Sequence, residues 1–341
     1  MEDVRVFSAG DNLQRFGGAQ KVMVDVHNGI KKRYQAKVLG RCSFEEIDEN
    51  YGIKRGEYHK LVNPLSLKNA VVLIHARKLA TYYHILNKLF FLNLRLIYVS
   101  HNIYENLKCV TFLPKNIVSI SDKVTKNLVE YFNIPKDNIT KIHNGIRDKA
   151  SMQRAVKIDS SFIQILYPAR INDVKRQVEV VKFLKGKLKK NVCITFAGAG
   201  PKECELRSLI TGDSNFHFLG FVKNMEPVIS DSDYIMLFSK KEGLPISLME
   251  GVRDGKPLII NDVGGNLEIG KPDENAFVAN NWEDLLSVVN NLPFRFEPEY
   301  LRRSEMSLEL FERNFKYEDM IHKYCTLINN VACGGRNVKQ D

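Results

Sequence analysis

The chain has 341 residues, 44% hydrophobic and 26% charged, with no low-complexity tract, a globular composition long enough to build two cores. No stretch approaches the ~20 apolar residues of a membrane span. The start, Met1-Glu2-Asp3-Val4-Arg5-Val6-Phe7, carries no basic segment ahead of an apolar signal core, so a cytoplasmic protein is expected. The formal net charge is +10. Residues 1–150 hold 24 Lys and Arg against 14 acids and the remainder 26 against 26, so the whole excess lies in the first half, where an anionic partner is expected.

In chain order, short apolar runs alternate with segments of helical period. The first half offers strands at Val4–Ala9, Ala36–Gly40, Val71–His75, Leu96–His101, Ile117–Ser121 and Thr140–His143, with helices at Ala19–Arg33, Arg77–Leu92 and Lys123–Phe132. The second half restarts the pattern. Its strands read at Ile163–Ala169, Val192–Gly198, Phe216–Gly220, Tyr234–Ser239 and Pro257–Asn261. Its helices read at Lys175–Leu188, Lys202–Ile210, Ile246–Arg253 and Trp282–Asn290, and the tail Glu299–Ala332 is helical. Such alternation builds parallel sheets wrapped by helices. Two series separated by a polar break near Arg147–Ser161 predict an α/β chain of two Rossmann-like halves facing across a cleft. Ligands are expected at the carboxyl ends of the strands. The domains are placed at 1–149 and 150–314.

The six cysteines, Cys42, Cys109, Cys193, Cys204, Cys325 and Cys333, form no CxxC pair, and the histidines no HExxH. Reduced, buried thiols are expected, without a disulfide frame or a zinc site.

Residues 234–261 read strand, loop, helix, strand. Pro245 suits the first helical position, and Gly255 with Pro257 stops the helix. The free amides near Gly243, Leu244 and Ser247 make an anion site for a diphosphate. Glu250, about one turn into the helix, faces the same pocket and suits a vicinal diol such as a ribose. Glu242 in the loop suits a sugar ring. Two carboxylates beside a diphosphate need cations, and Arg170 and Lys175, after the end of Ile163–Ala169, supply them.

Glu242-Gly243-Leu244-Pro245-Ile246-Ser247-Leu248-Met249-Glu250 resembles the Glu-x7-Glu signature of retaining GT-B glycosyltransferases of the GT4 class (glycosyltransferase group 1), such as enzymes of bacterial cell-surface polysaccharide synthesis. Further segments resemble that family in order. They are Phe16-Gly17-Gly18-Ala19-Gln20-Lys21, Ile97-Tyr98-Val99-Ser100-His101-Asn102, Ile142-His143-Asn144-Gly145-Ile146, Phe196-Ala197-Gly198-Ala199-Gly200-Pro201 and Asp262-Val263-Gly264-Gly265-Asn266-Leu267-Glu268. Phe315-Lys316-Tyr317-Glu318-Asp319-Met320 resembles the family's C-terminal helix, which implies that 315–341 returns to the first domain. The chain departs in being compact and in carrying Gly251 where the family often has Ala.

The resemblance implies a nucleotide-sugar donor, most readily UDP-linked, held by Gly17, Gly18, Arg170, Lys175, Glu242, Gly243, Leu244 and Glu250. It further implies that His101 and Glu242 address the sugar, that configuration is retained, and that no cofactor or metal takes part. A glycan or lipid-linked acceptor is expected, and no nucleic acid. The alternative reaction on the same fold is that of a nucleotide-sugar epimerase or hydrolase. His75, also at a strand end, reads as structural. Gly198-Ala199-Gly200 lacks the third glycine of a dinucleotide fingerprint, since Glu203 stands there, and Asp231-Ser232-Asp233 reads as a turn, not a metal motif. The basic, aromatic segment Arg77–Arg95, with Tyr82, Tyr83, Phe90, Phe91, Lys78 and Lys88, reads either as a helix covering its own sheet or as a contact with an anionic membrane surface on the inner face of the plasma membrane.

Overall fold

A computed structural model describes residues 4–15, 17–149 and 161–334. Phe16, most of the polar break and the last seven residues of the expected C-terminal segment lie outside the described residues. The chain divides into two compact units, Met1–Gly145 with Tyr317–Asp341, and Ile146–Lys316.

The first unit is built on seven strands, β1 (Arg5–Ala9), β2 (Gln35–Gly40), β3 (Tyr58–Lys60), β4 (Val71–Ile74), β5 (Arg95–Ser100), β6 (Asn116–Ser119) and β7 (Ile139–Lys141). All pairings are parallel, in the order β3-β2-β1-β4-β5-β6-β7. Its early helices are α1 (Gly18–Ile30), α2 (Arg77–Leu89) and α3 (Asp122–Glu130). A parallel strand is covered on both faces, which is why Val71-Val72-Leu73-Ile74 is an unbroken apolar run with every residue buried. Strand order reverses between β1 and β4, where Ala9 is level with Ile74 and Ile74 with Tyr98. The carboxyl ends of β1, β4 and β5 therefore lie side by side at the crevice where such sheets take ligands.

Among its described residues the second unit has six strands, β8 (Ile163–Pro168), β9 (Val192–Ala197), β10 (Phe216–Gly220), β11 (Tyr234–Leu237), β12 (Leu258–Ile260) and β13 (Ala276–Val278), all parallel in the order β10-β9-β8-β11-β12-β13. Its helices are α4 (Gln177–Leu184), α5 (Glu203–Ile210), α6 (Glu226–Asp231), α7 (Ile246–Arg253), α8 (Asn266–Ile269), α9 (Trp282–Asn290) and α10 (Pro298–Asn314). Here the order reverses between β8 and β11, so the loops leaving those two strands flank the switch point.

The tail is two helices. Phe315 and Lys316 end α10, and α11 (Tyr317–Ala332) belongs to the first unit, where Tyr317 donates to the Asp25 carbonyl at 2.8 Å and the Tyr34 hydroxyl donates to Asn329 Oδ1 at 2.8 Å. The cysteines correct an expectation. Cys193 and Cys325 are buried, but Cys109, Cys204 and Cys333 are exposed, because loop and helix-surface positions face solvent whatever apolar residues precede them.

Candidate active site

At the second unit's switch point, β8 delivers Ala169-Arg170-Ile171 and β11 delivers Ser239 to Leu244. Lys175 Nζ and Glu242 Oε1 meet across it at 2.5 Å, with 21% and 7% of their side chains exposed. Lys175 is not on a helix, as its spacing suggested. It lies in a turn before Arg176, which stands at φ +59 as the N-cap of α4. That turn is held from below. Tyr167, buried in β8, donates to the Lys175 carbonyl and accepts from the Phe238 amide at 3.0 Å, and Lys240 N–H donates to the Val174 carbonyl at 2.8 Å. Arg176 is clamped between Trp282, 4.3 Å from its ring centroid, and Phe238 at 4.9 Å.

Arg170 is exposed and forms no ion pair among the described residues. Its backbone is fixed by the glycine turn after β9. A Cβ on Gly198 would stand 2.1 Å from the Ala169 carbonyl oxygen, and one on Gly200 2.1 Å from that of Ile171. The two glycines thus serve to seat the Arg170 loop, a close-approach requirement and not a nucleotide fingerprint.

Glu242 is buried, and a neighbouring loop sets its backbone. Gly264, at φ +56, would place a Cβ 2.1 Å from the Glu242 carbonyl oxygen, and Gly265 N–H donates to the Gly243 carbonyl at 2.8 Å. Asn261, itself buried, ties the ends of β11 and β12 together by accepting from the Ser239 amide at 3.1 Å and donating to the Ser239 carbonyl at 2.7 Å. Helix α7 starts from this frame. Pro245 is its N-cap, one place before the expected first helical position. The first bond inside the helix runs from Met249 N–H to the Pro245 carbonyl at 3.4 Å, which leaves the amides of Ile246 to Leu248 aimed outward with the positive end of the helix dipole. Glu250 is half-buried in the second turn. Lys175, Glu242 and α7's N-terminus therefore form one rigid set beside Arg170, equipped to hold an anion on amides and cations and a hydroxylated ring on carboxylates.

In the first unit the carboxyl ends of β4 and β5 bring His75 and His101 together, with Nδ1 of the former 2.9 Å from Nε2 of the latter and both rings buried. Burial pushes His101 down to about 4 and His75 well below the usual imidazole range, the latter also through His101. His75 Nε2 has no partner among the described residues. Sequence reasoning set His75 aside, and only the lateral pairing of β4 with β5 reveals its neighbour. At the end of β1, Gly17 caps α1 and donates its N–H to Tyr51 Oη at 3.0 Å, and that hydroxyl donates on to the Arg15 carbonyl at 2.7 Å. A Cβ on Gly18 would meet nothing within 4 Å, so the need for glycine there is not one of packing within the chain.

Asp231-Ser232-Asp233 ends α6 and turns into β11. Asp233 pairs with Arg295 at 2.9 Å and accepts from the Gln164 amide at 2.8 Å, a structural use of that acid.

Residues 148–292 match the family described as Glycosyl transferases group 1. The matched span covers most of the second unit, which is therefore similar to group 1 glycosyl transferases over that stretch. Around this stretch, the whole chain shares its GT-B fold with the UDP complex of HepE from Anabaena, at a TM-score of 0.82 and 14% identity over 96% of this chain and 100% of that one. Among curated proteins it is 25% identical over 251 residues to N-acetyl-alpha-D-glucosaminyl L-malate synthase of Bacillus anthracis, 69% of this chain and 63% of that protein. It is 27% identical over 177 residues to the O-antigen biosynthesis glycosyltransferase WbnH of Escherichia coli, 52% of this chain and 50% of that protein. The chain thus spans about half to five-eighths of the length of these curated relatives. Arg170, Lys175, Glu242, Gly243, Leu244 and Glu250 all lie within the matched span.

Proposed function

We propose that the chain is a retaining glycosyltransferase that moves a sugar from a UDP-linked donor to a glycan or lipid-linked acceptor in cell-surface polysaccharide synthesis. The observation that carries it is the Lys175–Glu242 pair at the switch point, beside the open amides of α7. The UDP in the HepE structure and the O-antigen role in the name of WbnH support the donor and the product class.

In this reading the donor's diphosphate rests on the first-turn amides of α7 and on Arg170, while Glu250 accepts from the ribose hydroxyls. Glu242 accepts from the sugar, and Lys175 pairs with that buried carboxylate. As the bond from the anomeric carbon to the phosphate oxygen breaks, charge grows on the leaving diphosphate. The α7 dipole, Arg170 and Lys175 meet it in place, without a metal ion. The acceptor oxygen bonds the anomeric carbon on the same face and passes its proton to the departing phosphate, which retains configuration. His101, backed by His75, is the first unit's candidate for a sugar contact. Gly17 and Gly18 offer amides at the start of α1.

The test is a thermal-shift screen of nucleotides and nucleotide-sugars, because a ligand that binds the folded chain stabilises it by an amount that grows with the logarithm of its concentration over its Kd. UDP and at least one UDP-sugar are expected to raise the midpoint, and Glu250→Ala to abolish that rise together with turnover. Stabilisation by no nucleotide, or wild-type donor affinity and turnover in Glu250→Ala, would sink the proposal. Product analysis without an acceptor separates transfer from hydrolysis and epimerisation.

A further inference from the structure

Helix α2 is apolar on two faces, and only one is used by the sheet. Leu79, Ala80, Tyr83 and Leu86 are buried. Tyr83, one of the aromatics that suggested a surface role, is therefore core. The outward side carries Ile85, Leu89 and Phe90, and then Phe91, which is 84% exposed. Phe91 stands at φ +49 and Asn93 at φ +50, with Leu92 between them fully buried. Asparagine tolerates that region, but for a bulky residue such as Phe91 it costs on the order of 1 kcal/mol. The chain accepts that cost and holds an aromatic ring out in solvent.

A second segment, silent in the sequence, joins this ridge. The loop after β5 exposes Leu107, Val110 and Phe112. Phe112 N–H donates to Thr81 Oγ1 at 3.0 Å, and Thr81, Ile85 and Leu89 follow one another at i, i+4 along one face of α2. At the start of the helix, buried Arg77 donates to the Asn106 carbonyl at 2.6 Å and to its Oδ1 at 2.9 Å, and lies 4.1 Å over the Tyr104 ring. Loop and helix are thereby one rigid apolar ridge, not two floppy ends.

The charge around it selects the partner. Residues 58–121 contain eight Lys or Arg and a single acid, Glu105. Lys78, Lys88 and Lys115 are exposed and form no ion pair among the described residues. We propose that this ridge docks the first unit onto an anionic lipid bilayer, with Phe91, Leu89, Val110 and Phe112 entering the acyl boundary and the lysines meeting headgroup phosphates. An apolar ridge flanked by unpaired cations matches both layers of such a surface. An acidic protein would match only the charge. The docking gives the proposed glycosyltransferase access to a lipid-linked acceptor and rests on that reading for its purpose, but not for its measurement.

Binding is measured by co-sedimentation with phosphatidylcholine vesicles, with and without phosphatidylglycerol, in the absence of donor and acceptor. The wild-type chain is expected to pellet with anionic vesicles at low salt and to be released as salt rises. Phe91→Ser and Phe112→Ser are each expected to weaken binding about tenfold, the value of losing part of one buried ring. Lys88→Glu is expected to weaken it and flatten the salt dependence. All three variants should keep the wild-type melting temperature and nucleotide response, so failure of the donor reading would be seen separately. The proposal is overturned if no protein pellets with anionic vesicles at low salt, or if the Phe91→Ser/Phe112→Ser double variant pellets like wild type. Self-association in analytical ultracentrifugation that needs these rings, without vesicle binding, would also overturn it and make the ridge an interface between copies.

Discussion

His75 and His101 share one hydrogen bond, Nδ1 to Nε2 at 2.9 Å, with both rings buried and 26 residues apart in the chain. One nitrogen must donate and the other accept, so the tautomer of each ring fixes that of the other. His75 is thus a positioning residue for whatever His101 offers from Nδ1. Asn places an amide near the position of a histidine Nδ1, whereas Phe keeps the bulk and removes the bond. His75→Phe is expected to lower kcat about tenfold, the worth of one oriented hydrogen bond to the reacting sugar, and to leave donor KM nearly unchanged. His75→Asn should recover most of the loss. Steady-state kinetics on both variants checks this, and equal impairment would mean that packing, not the hydrogen bond, is what matters.

The Lys175–Glu242 pair predicts an asymmetry. Glu242 is the more deeply buried partner, so removing Lys175 strands a carboxylate, while removing the charge of Glu242 leaves a lysine that still reaches solvent. Lys175→Met should cost about 1–3 kcal/mol of stability and Glu242→Gln less, by the penalty for an unmet buried polar group. Turnover should reverse the order of sensitivity per unit of stability, with Glu242→Gln losing activity while melting near the wild-type temperature. Urea denaturation alongside kinetics resolves the two. A Glu242→Gln variant with wild-type turnover removes Glu242 from the chemistry.

Two glycines in the same unit should respond differently to alanine. On Gly251 a Cβ would sit 2.7 Å from Ile235 Cγ1 and 3.4 Å from Leu258 Cδ2, both movable side chains, because α7 presses close on β11 and β12. That closeness gives a physical reason for glycine where the resemblance leads one to expect alanine. Gly251→Ala is expected to cost about 1–3 kcal/mol through overpacking and to leave donor affinity close to normal in the folded fraction. On Gly264 the obstacle is the Glu242 backbone itself, and φ is positive. Gly264→Ala must displace Glu242, so donor affinity and turnover should fall at least as steeply as stability. Isothermal titration with UDP on both variants tells the cases apart.

How much of this was legible depends on the range over which each feature is determined. The strand Val71–Ile74 announces itself because burial on both faces demands an unbroken apolar run, and α7 does so because Pro245 and Gly255 punctuate it. The edge strand Tyr58-His59-Lys60 was invisible, since an edge needs neither length nor apolarity. Glu242, Glu250 and Arg170 could be picked from strand-end positions and family likeness. The ion pair of Glu242 with Lys175 could not, because it depends on β8 lying beside β11, a pairing between segments 67 residues apart. The same holds for His75, and for Gly264, whose backbone demand comes from a loop it meets only in the folded unit. Spacing alone puts Lys175 on a helix, yet Arg176 takes a left-handed conformation that spacing does not signal and that the Trp282–Phe238 clamp sustains.

His27 sets an acid limit on the first unit. It is buried on α1, and neither ring nitrogen has a partner among the described residues. Burial, helped by Lys31 and opposed by Glu57, brings its pKa down to about 4 from 6.5. The folded value lies below the unfolded one, so as pH falls the unfolded chain takes up the proton first. The stability that rests on neutral His27 is complete above pH 6.5 and is lost progressively as pH falls from 6.5 to 4. The whole effect is about 3 kcal/mol, at about 1.4 kcal/mol per pH unit inside the window. His101, also lowered to about 4 by burial, adds a second proton over the same range. His27→Leu has similar bulk and no nitrogen to satisfy. It should stabilise the protein by about 1–2 kcal/mol at pH 7, gain more at pH 5, and reduce the acid slope by one proton while leaving the share of His101. Urea midpoints at pH 7, 6 and 5 measure that slope directly, and parallel losses in wild type and His27→Leu would show that His27 is already charged or already solvated in the native state.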